Sequence, residues 1–380
     1  MYNQRPTKGV QSATKPGALW RHYLMKAVQL VAPKTFEWVE TEQPSPAQGE
    51  CLIKIEQVSI CGSDIYLEWG PDLGEEHYPL PPGAPNHECA GVIAESRAPG
   101  LKAGQRVIVI PRKTAGMVEY TVQSPDRIIP VPDWGGLDEW VMCQHSGTVL
   151  YSAKAWGNPI GKRIAVLGQG GIGLTFTMIA EKQGALQVIG LDLEDYRLRK
   201  SLELGATHTI NPGRENAAEA LAEITGGEGV DFFVDASGNP DGFDTCVQLV
   251  KKMGTVISFS LITADLAKFN HRTWMSKQVR VIPTVVAAGP TPVQEIREIV
   301  ALRDRGWIDP GKLKTHNSSW SNVSEAYQMY ADRTDGVIKV VMAVDASTAG
   351  KPRRAGAPAT ATPSRKGKAT AARRPIAARR

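Results

Sequence analysis

Short Val/Ile-rich runs broken by proline and glycine dominate residues 25–150, among them "MKAVQLV", "CLIKIEQVSI", "CAGVIAES", "RVIVIP" and "VEYTVQ". β-Branched runs of this length, bounded by turn residues, predict strands, so this stretch reads as a small all-β module. From Gly161 the rhythm changes. "RIAVLG" leads into a helical "IGLTFTMIAEKQGA", "QVIGLD" leads into a helical "EDYRLRKSLELG", and "GVDFFVDAS" and "GTVISFS" supply two more strands. Apolar strands alternating with helices predict a doubly wound parallel sheet over residues 151–295. A helix "PVQEIREIVALRDRG" and a strand "GVIKVVMAV" then close the body within residues 296–345. The fold class is α/β, and no internal repeat is visible.

Composition supports two cores. The chain has 380 residues with 42% hydrophobic content, which suits about two domains. Its five cysteines, Cys51, Cys61, Cys89, Cys143 and Cys246, are sparse and odd in number, which argues for a reducing compartment over a disulfide framework. No apolar run approaches the roughly 18 residues of a membrane span and no secretory h-region opens the chain, so a cytoplasmic, non-membrane protein is expected.

The net charge of +5 hides three unlike segments. Residues 1–24 carry Arg5, Lys8, Lys15 and Arg21 and no acid, and residues 346–380 carry ten Lys/Arg and no acid. Residues 25–345 therefore hold 30 basic and 39 acidic side chains, a formal charge of −9. The leading segment has a transit-peptide-like composition, and the natural start is expected at Met25. The Ala/Pro/Thr/Lys/Arg tail has almost nothing to bury and is expected to be disordered. A solvated appendage is the plainer expectation for it, and weak, salt-sensitive attraction to a polyanion the sharper one.

In "RIAVLGQGGIGLTF" the glycines Gly168, Gly170 and Gly173 follow a strand and open a helix, and Asp192 ends the next strand. Gly168 allows the tight turn, Gly170 lets the backbone approach a pyrophosphate and Gly173 permits close helix packing, while the helix N-terminus attracts the anion. Gly171 and Ile172 lie in the same loop, and Ser237, after "GVDFFVDA", is a further candidate on the cofactor side. A carboxylate at Asp192 accepts the ribose hydroxyls and repels a phosphate, which favours NAD over NADP. Arg197 is ambiguous: it can meet a phosphate, flank the adenine or face solvent.

Cys61 in "SICGSDIYLEWG" and His87-Glu88 in "APNHECAGVI" are thiolate, imidazole and carboxylate groups of the kind that bind zinc. "CGSD", "HECAGVI", "GMVEYTV" and "GQGGIG" with the Asp192 strand, in that order, resemble the zinc-containing medium-chain dehydrogenase/reductase family of alcohol, sorbitol and threonine dehydrogenases. The resemblance spans about residues 25–344. It implies a GroES-like catalytic domain, a Rossmann NAD-binding domain and an active site between them, in a homo-oligomer, dimer or tetramer. It also implies that Cys61 and His87 hold a catalytic zinc, with Glu88 the carboxylate able to approach it. Ser63 then relays the substrate proton, and Thr148 in "SGTVLY" packs against the nicotinamide.

Three departures shape the expectation. Between "RVIVIP" and "GMVEYTV" only "RKTA" stands where relatives carry a cysteine-rich lobe, so no structural zinc is expected. Tyr66 stands where many relatives have a proton-passing histidine. Gln144 falls in the third-ligand slot, where relatives supply Cys or Glu, and a neutral amide is a poor substitute; Cys143 and His145 flank it. His77 is expected at the surface or cleft edge, and Cys89 and Cys246 in the core. The function expected is NAD-dependent, zinc-assisted hydride transfer with a small alcohol or carbonyl substrate: a secondary alcohol, polyol or amino alcohol. The alternatives are a zinc-free quinone/enone-type reductase and a non-enzymatic nucleotide-binding protein with a polyanion-binding tail.

Overall fold

Residues 25–150 are not all β. The computed structural model describes residues 23–71, 73–261, 266–284 and 293–344, and the expectations for the basic tail and nearly all of the leading segment lie outside these. Strands β1 (Leu24–Ala32) and β2 (Thr35–Glu42) form an antiparallel ribbon. They are followed by β3 (Cys51–Ser59), β4 (Glu88–Ser96), β5 (Arg106–Val109), β6 (Tyr120–Gln123) and β7 (Ile128–Pro130). Two helices then appear, α1 (Leu137–Trp140) and α2 (Met142–Ala153). Their buried residues Leu137, Trp140, Val149, Leu150 and Ala153, with Val141 between the two helices, are spaced for helices packed on the core, a pattern the strand-like runs before them obscure. Residues Asp64–Trp69 wind into a π-helical turn, a geometry concentrated at functional sites.

The second module alternates strand and helix: β8 (Arg163–Leu167), α3 (Gly171–Lys182), β9 (Gln187–Leu191), α4 (Asp195–Glu203), β10 (His208–Ile210), α5 (Ala217–Thr225), β11 (Val230–Asp235), α6 (Gly242–Leu249), β12 (Val250–Ser258), α7 (His271–Lys277) and β13 (Arg280–Pro283). All six strands are parallel, in the order β10-β9-β8-β11-β12-β13. Ile164, Ala165, Val166, Ile189, Phe233, Val234 and Val256 have no exposed surface, as expected of a sheet covered on both faces. Strand order reverses between β8 and β11, and the crevice at their carboxyl ends is where such sheets bind nucleotides.

The chain then returns through α8 (Gln294–Asp304), which packs on α2, followed by β14 (Lys314–Ser319), α9 (Val323–Asp332) and β15 (Lys339–Ala343). β15 inserts between β14 and β3, completing a sheet of order β14-β15-β3-β4-β5-β7, with β6 also paired to β3. The return matters for the site, because it places the start of β15 beside the start of β4. Among the described residues no helix is long and apolar enough to cross a membrane.

Candidate active site

A cavity of about 1060 Å³ runs between the two modules. Residues from the β3–β4 region line one side of it, the glycine loop and the end of β9 the other, and α2 and the α9–β15 return also contribute.

Cys61 sits just past β3 and His87 just before β4, so the pairing of Ser59 with Glu88 brings sulfur, imidazole and carboxylate together. The ligand atoms of Cys61, His87 and Glu88 all lie within 4.8 Å of one another. Asp64 fixes two of the three. Its Oδ2 accepts from the Cys61 backbone N–H at 3.0 Å and its Oδ1 lies 2.9 Å from His87 Nδ1, which turns the other side of the imidazole to the Cys61 sulfur. Burial works to lower the His87 pKa, but the Asp64 carboxylate and the Cys61 sulfur outweigh it and hold the imidazole well above its ordinary value. The Ser63 hydroxyl donates to Cys61 Sγ at 3.2 Å.

Glu88 is fully buried. Its Oε2 accepts from Lys339 Nζ at 2.6 Å, and the same ammonium donates to the Ile60 carbonyl at 2.6 Å. Burial alone raises a carboxyl pKa, yet Lys339, helped by His145 and His87, reverses this and leaves Glu88 below its ordinary value. The other oxygen, Oε1, is buried with no partner among the described residues. A buried, unpartnered carboxylate oxygen beside a thiol and an imidazole suits a divalent cation, so the donor set fits zinc.

Helix α2 orients the stretch expected to supply a third ligand. Gln144 and His145 line the cavity, whereas Cys143 is enclosed in the core and its thiol is pushed up to about 12 by burial. No side-chain hydrogen bond engages the Gln144 amide among the described residues. His145 is fully enclosed, and burial with the nearby Lys339 lowers its pKa to about 3, so the imidazole is neutral. Its Nδ1 has no partner among the described residues. Thr148 lines the cavity one turn later, its hydroxyl donating to the His145 carbonyl at 2.7 Å.

Across the cleft, Gly168 takes φ +88°, and a Cβ on Gly173 would lie 1.7 Å from the Gly168 carbonyl oxygen, so any side chain at Gly173 breaks the loop-to-helix packing. Gly168, Gly170, Gly171 and Ile172 line the cavity at the start of α3. Asp192 Oδ2 accepts from Gln169 N at 2.6 Å and Oδ1 from Glu194 N at 3.0 Å. Arg197 Nη1 is 3.9 Å from Asp192 Oδ2, and its Nε donates to Tyr196 Oη at 3.0 Å. Ser237 lines the cavity with its hydroxyl donating to Asp235 Oδ1 at 2.8 Å. Tyr66 stands at the rim, 41% exposed. His77 is exposed beside Glu76, while Cys89 and Cys246 are buried.

Sequence reasoning assigned no role to Asp64 or Lys339. Asp64 lies inside the quoted "CGSD", and Lys339 is the lone cation within the apolar "GVIKVVMAV", an interruption that signals a buried partner.

A β-rich module and a six-stranded nucleotide-binding sheet that share one cleft define a dinucleotide-dependent oxidoreductase architecture. The family model "Alcohol dehydrogenase GroES-like domain" matches residues 47–153 and "Zinc-binding dehydrogenase" matches residues 171–303, together more than half of the chain. This chain belongs to the zinc-type medium-chain dehydrogenase family, an oxidoreductase family of alcohol and polyol dehydrogenases. An alcohol dehydrogenase of Cupriavidus necator is 27% identical over 84% of this chain and 98% of its own length. An L-threonine 3-dehydrogenase of Chromobacterium violaceum is 29% identical over 64% of this chain and 79% of its own. Among solved structures, a short chain alcohol dehydrogenase from Escherichia coli complexed with NADH shares the fold, with TM-score 0.73 and 22% identity over 84% of this chain and 99% of that one.

Proposed function

We propose that this protein is an NAD-dependent, zinc-assisted dehydrogenase of a secondary alcohol, polyol or amino alcohol. The observation that carries the proposal is the Cys61, His87 and Glu88 cluster, with its unpartnered Glu88 Oε1, opening onto the same cavity as the glycine loop and Asp192. Cys61, His87 and Glu88 hold the metal, with the Gln144 amide as a weak neutral donor. A zinc ion held there would supply Lewis acidity to lower the pKa of the substrate hydroxyl.

The protein's own groups do the rest. Asp64 fixes the His87 tautomer, and Ser63 takes the hydroxyl proton and passes it outward toward Tyr66. Thr148 would support a nicotinamide ring, which when bound would supply the hydride acceptor. Oxidation of a carbinol to a carbonyl would thus send its proton into this relay, with the bound dinucleotide as the hydride acceptor. Gly168, Gly170, Gly171 and Ile172 with the α3 N-terminus receive the diphosphate, while Asp192 accepts the adenosine ribose hydroxyls and disfavours a 2′-phosphate. Ser237 flanks the same site.

The test is NADH formation by the purified chain across secondary alcohols, polyols and 3-hydroxy amino acids. Turnover of one class supports the reading, and no turnover with any of them contradicts it. Asp192→Gly should weaken NADH binding about tenfold while leaving NADPH much less affected, as titration of both cofactors will show. An unchanged NADH/NADPH ratio would remove Asp192 from the ribose. One observation favours a second reading, a zinc-free reductase of the quinone or enone type: the neutral Gln144 in the third-ligand slot. Full activity with no bound metal would select it.

A further inference from the structure

The π-helical turn Asp64–Trp69 carries two acids, Asp64 and Glu68. Asp64 is engaged inside the protein, by the Cys61 backbone and by His87. Glu68 is not. It is half-buried, lines the large cavity and forms no ion pair with a lysine or arginine among the described residues. Its two oxygens each lie 3.4 Å from the Thr114 hydroxyl, whose single hydrogen has a nearer acceptor in the Lys113 carbonyl at 2.7 Å. A half-buried carboxylate so placed has lost water without regaining equivalent donors. Burial and the neighbouring Asp64 carboxylate push the Glu68 pKa up, against the lesser effects of Thr114 and His87.

The loop that faces Glu68 is held in a strained form. Lys113 and Thr114 take φ 56° and φ 51°, and a β-branched residue in the left-handed region is an outlier that persists only where its surroundings impose it. Asn86 does so here: its N–H donates to the Thr114 carbonyl at 2.7 Å, and its own carbonyl accepts from Gly116 N at 3.0 Å. Asn86 immediately precedes His87, so these bonds hold Thr114, and Glu68 opposite it, on the side of the cavity where Cys61, His87 and Glu88 meet. Lys113 and Arg127 line the same cavity, and neither pairs with Glu68.

We propose that Glu68 is a specificity-determining residue that selects an amino alcohol, taking the substrate's ammonium group while the carbinol lies at Cys61, His87 and Glu88. An ammonium supplies both things this carboxylate lacks, hydrogen-bond donors and an opposing charge. A polyol hydroxyl supplies a donor only, and an anionic substrate is repelled.

The inference rests on the dehydrogenase reading above and narrows its substrate class, and the experiment separates the two. The full chain, Glu68→Gln and Glu68→Lys are assayed at neutral pH for NADH formation with isopropanolamine, propylene glycol, isopropanol and lactate. These carry the same methyl carbinol with an aminomethyl, hydroxymethyl, methyl or carboxylate group in turn. The wild type should favour isopropanolamine over propylene glycol about tenfold in kcat/KM, with lactate the poorest. Glu68→Gln should lower the isopropanolamine-to-isopropanol ratio about tenfold, mainly through KM, and Glu68→Lys should invert the preference between isopropanolamine and lactate. The unfolding temperature of Glu68→Gln should not fall, because the isosteric amide removes a half-buried charge that has no lysine or arginine partner. An unchanged ratio in Glu68→Gln overturns the inference, and so does a wild-type preference for any of the other three substrates. A wild-type chain that oxidises no alcohol overturns the functional reading and this inference with it.

Discussion

Replacing Lys339 by methionine should cost about 3–5 kcal/mol of folding stability, the typical result of leaving one partner of a buried ion pair uncompensated. Lys339 is 3% exposed and Glu88 has no exposed surface, so water cannot take over the role of the lost ammonium. The pH dependence should invert as well. In the wild type Glu88 sits below its ordinary pKa, so its contribution is present above the unfolded-state value and lost as pH falls through the folded one. Without Lys339, burial dominates and the Glu88 pKa rises above the unfolded value. The variant's Glu88 site should therefore recover stability on acidification from neutral pH, where the same site in the wild type only loses its contribution. The double variant Glu88→Gln/Lys339→Met should regain most of the loss, because no buried charge is left alone. Denaturant unfolding at neutral pH and near pH 5 measures all of this. A penalty below about 1 kcal/mol that is independent of pH would show that the pair is solvated in solution.

The second large effect concerns the metal. Cys61→Ser removes the one sulfur in the cluster and should lower zinc affinity and reduce kcat/KM about a hundredfold or more. Gln144→Glu should act oppositely on affinity, because it adds a formal negative donor where a neutral amide now stands. Zinc retained after dialysis against a chelator should therefore decrease in the order Gln144→Glu, wild type, Cys61→Ser. Activity need not follow that order, since an added anion weakens the metal's pull on the substrate oxygen and raises the alkoxide pKa. Equal retention in all three proteins would remove both residues from the metal site.

What could be read in advance from the sequence is divided by sequence distance. The glycine loop and Asp192 are legible because strand, turn, helix and acidic residue follow one another within a single unit, and the parallel sheet follows from the same rhythm. Cys61 and His87 stand out because thiol and imidazole are rare in this chain. Lys339 is different. Its partner is 251 positions away, and only the insertion of β15 beside β3 brings the two together, which local periodicity does not reveal. The helix α2 was obscured for another reason: its apolar residues follow a long run of strands, and the two helices α1 and α2 are separated by a single residue. That helix decides which neighbours of Gln144 face the cleft, turning His145 inward and Cys143 into the core.

The central claim is that metal held by Cys61, His87 and Glu88 assists oxidation of an alcohol by NAD. The most direct measurement is alcohol-dependent NADH formation by the wild-type chain, followed through chelator dialysis and readdition of zinc, with metal content determined at each stage. The account predicts that activity is lost as zinc is removed and recovers as roughly one zinc per chain is restored. Undiminished turnover by a chain shown to contain no zinc would contradict it.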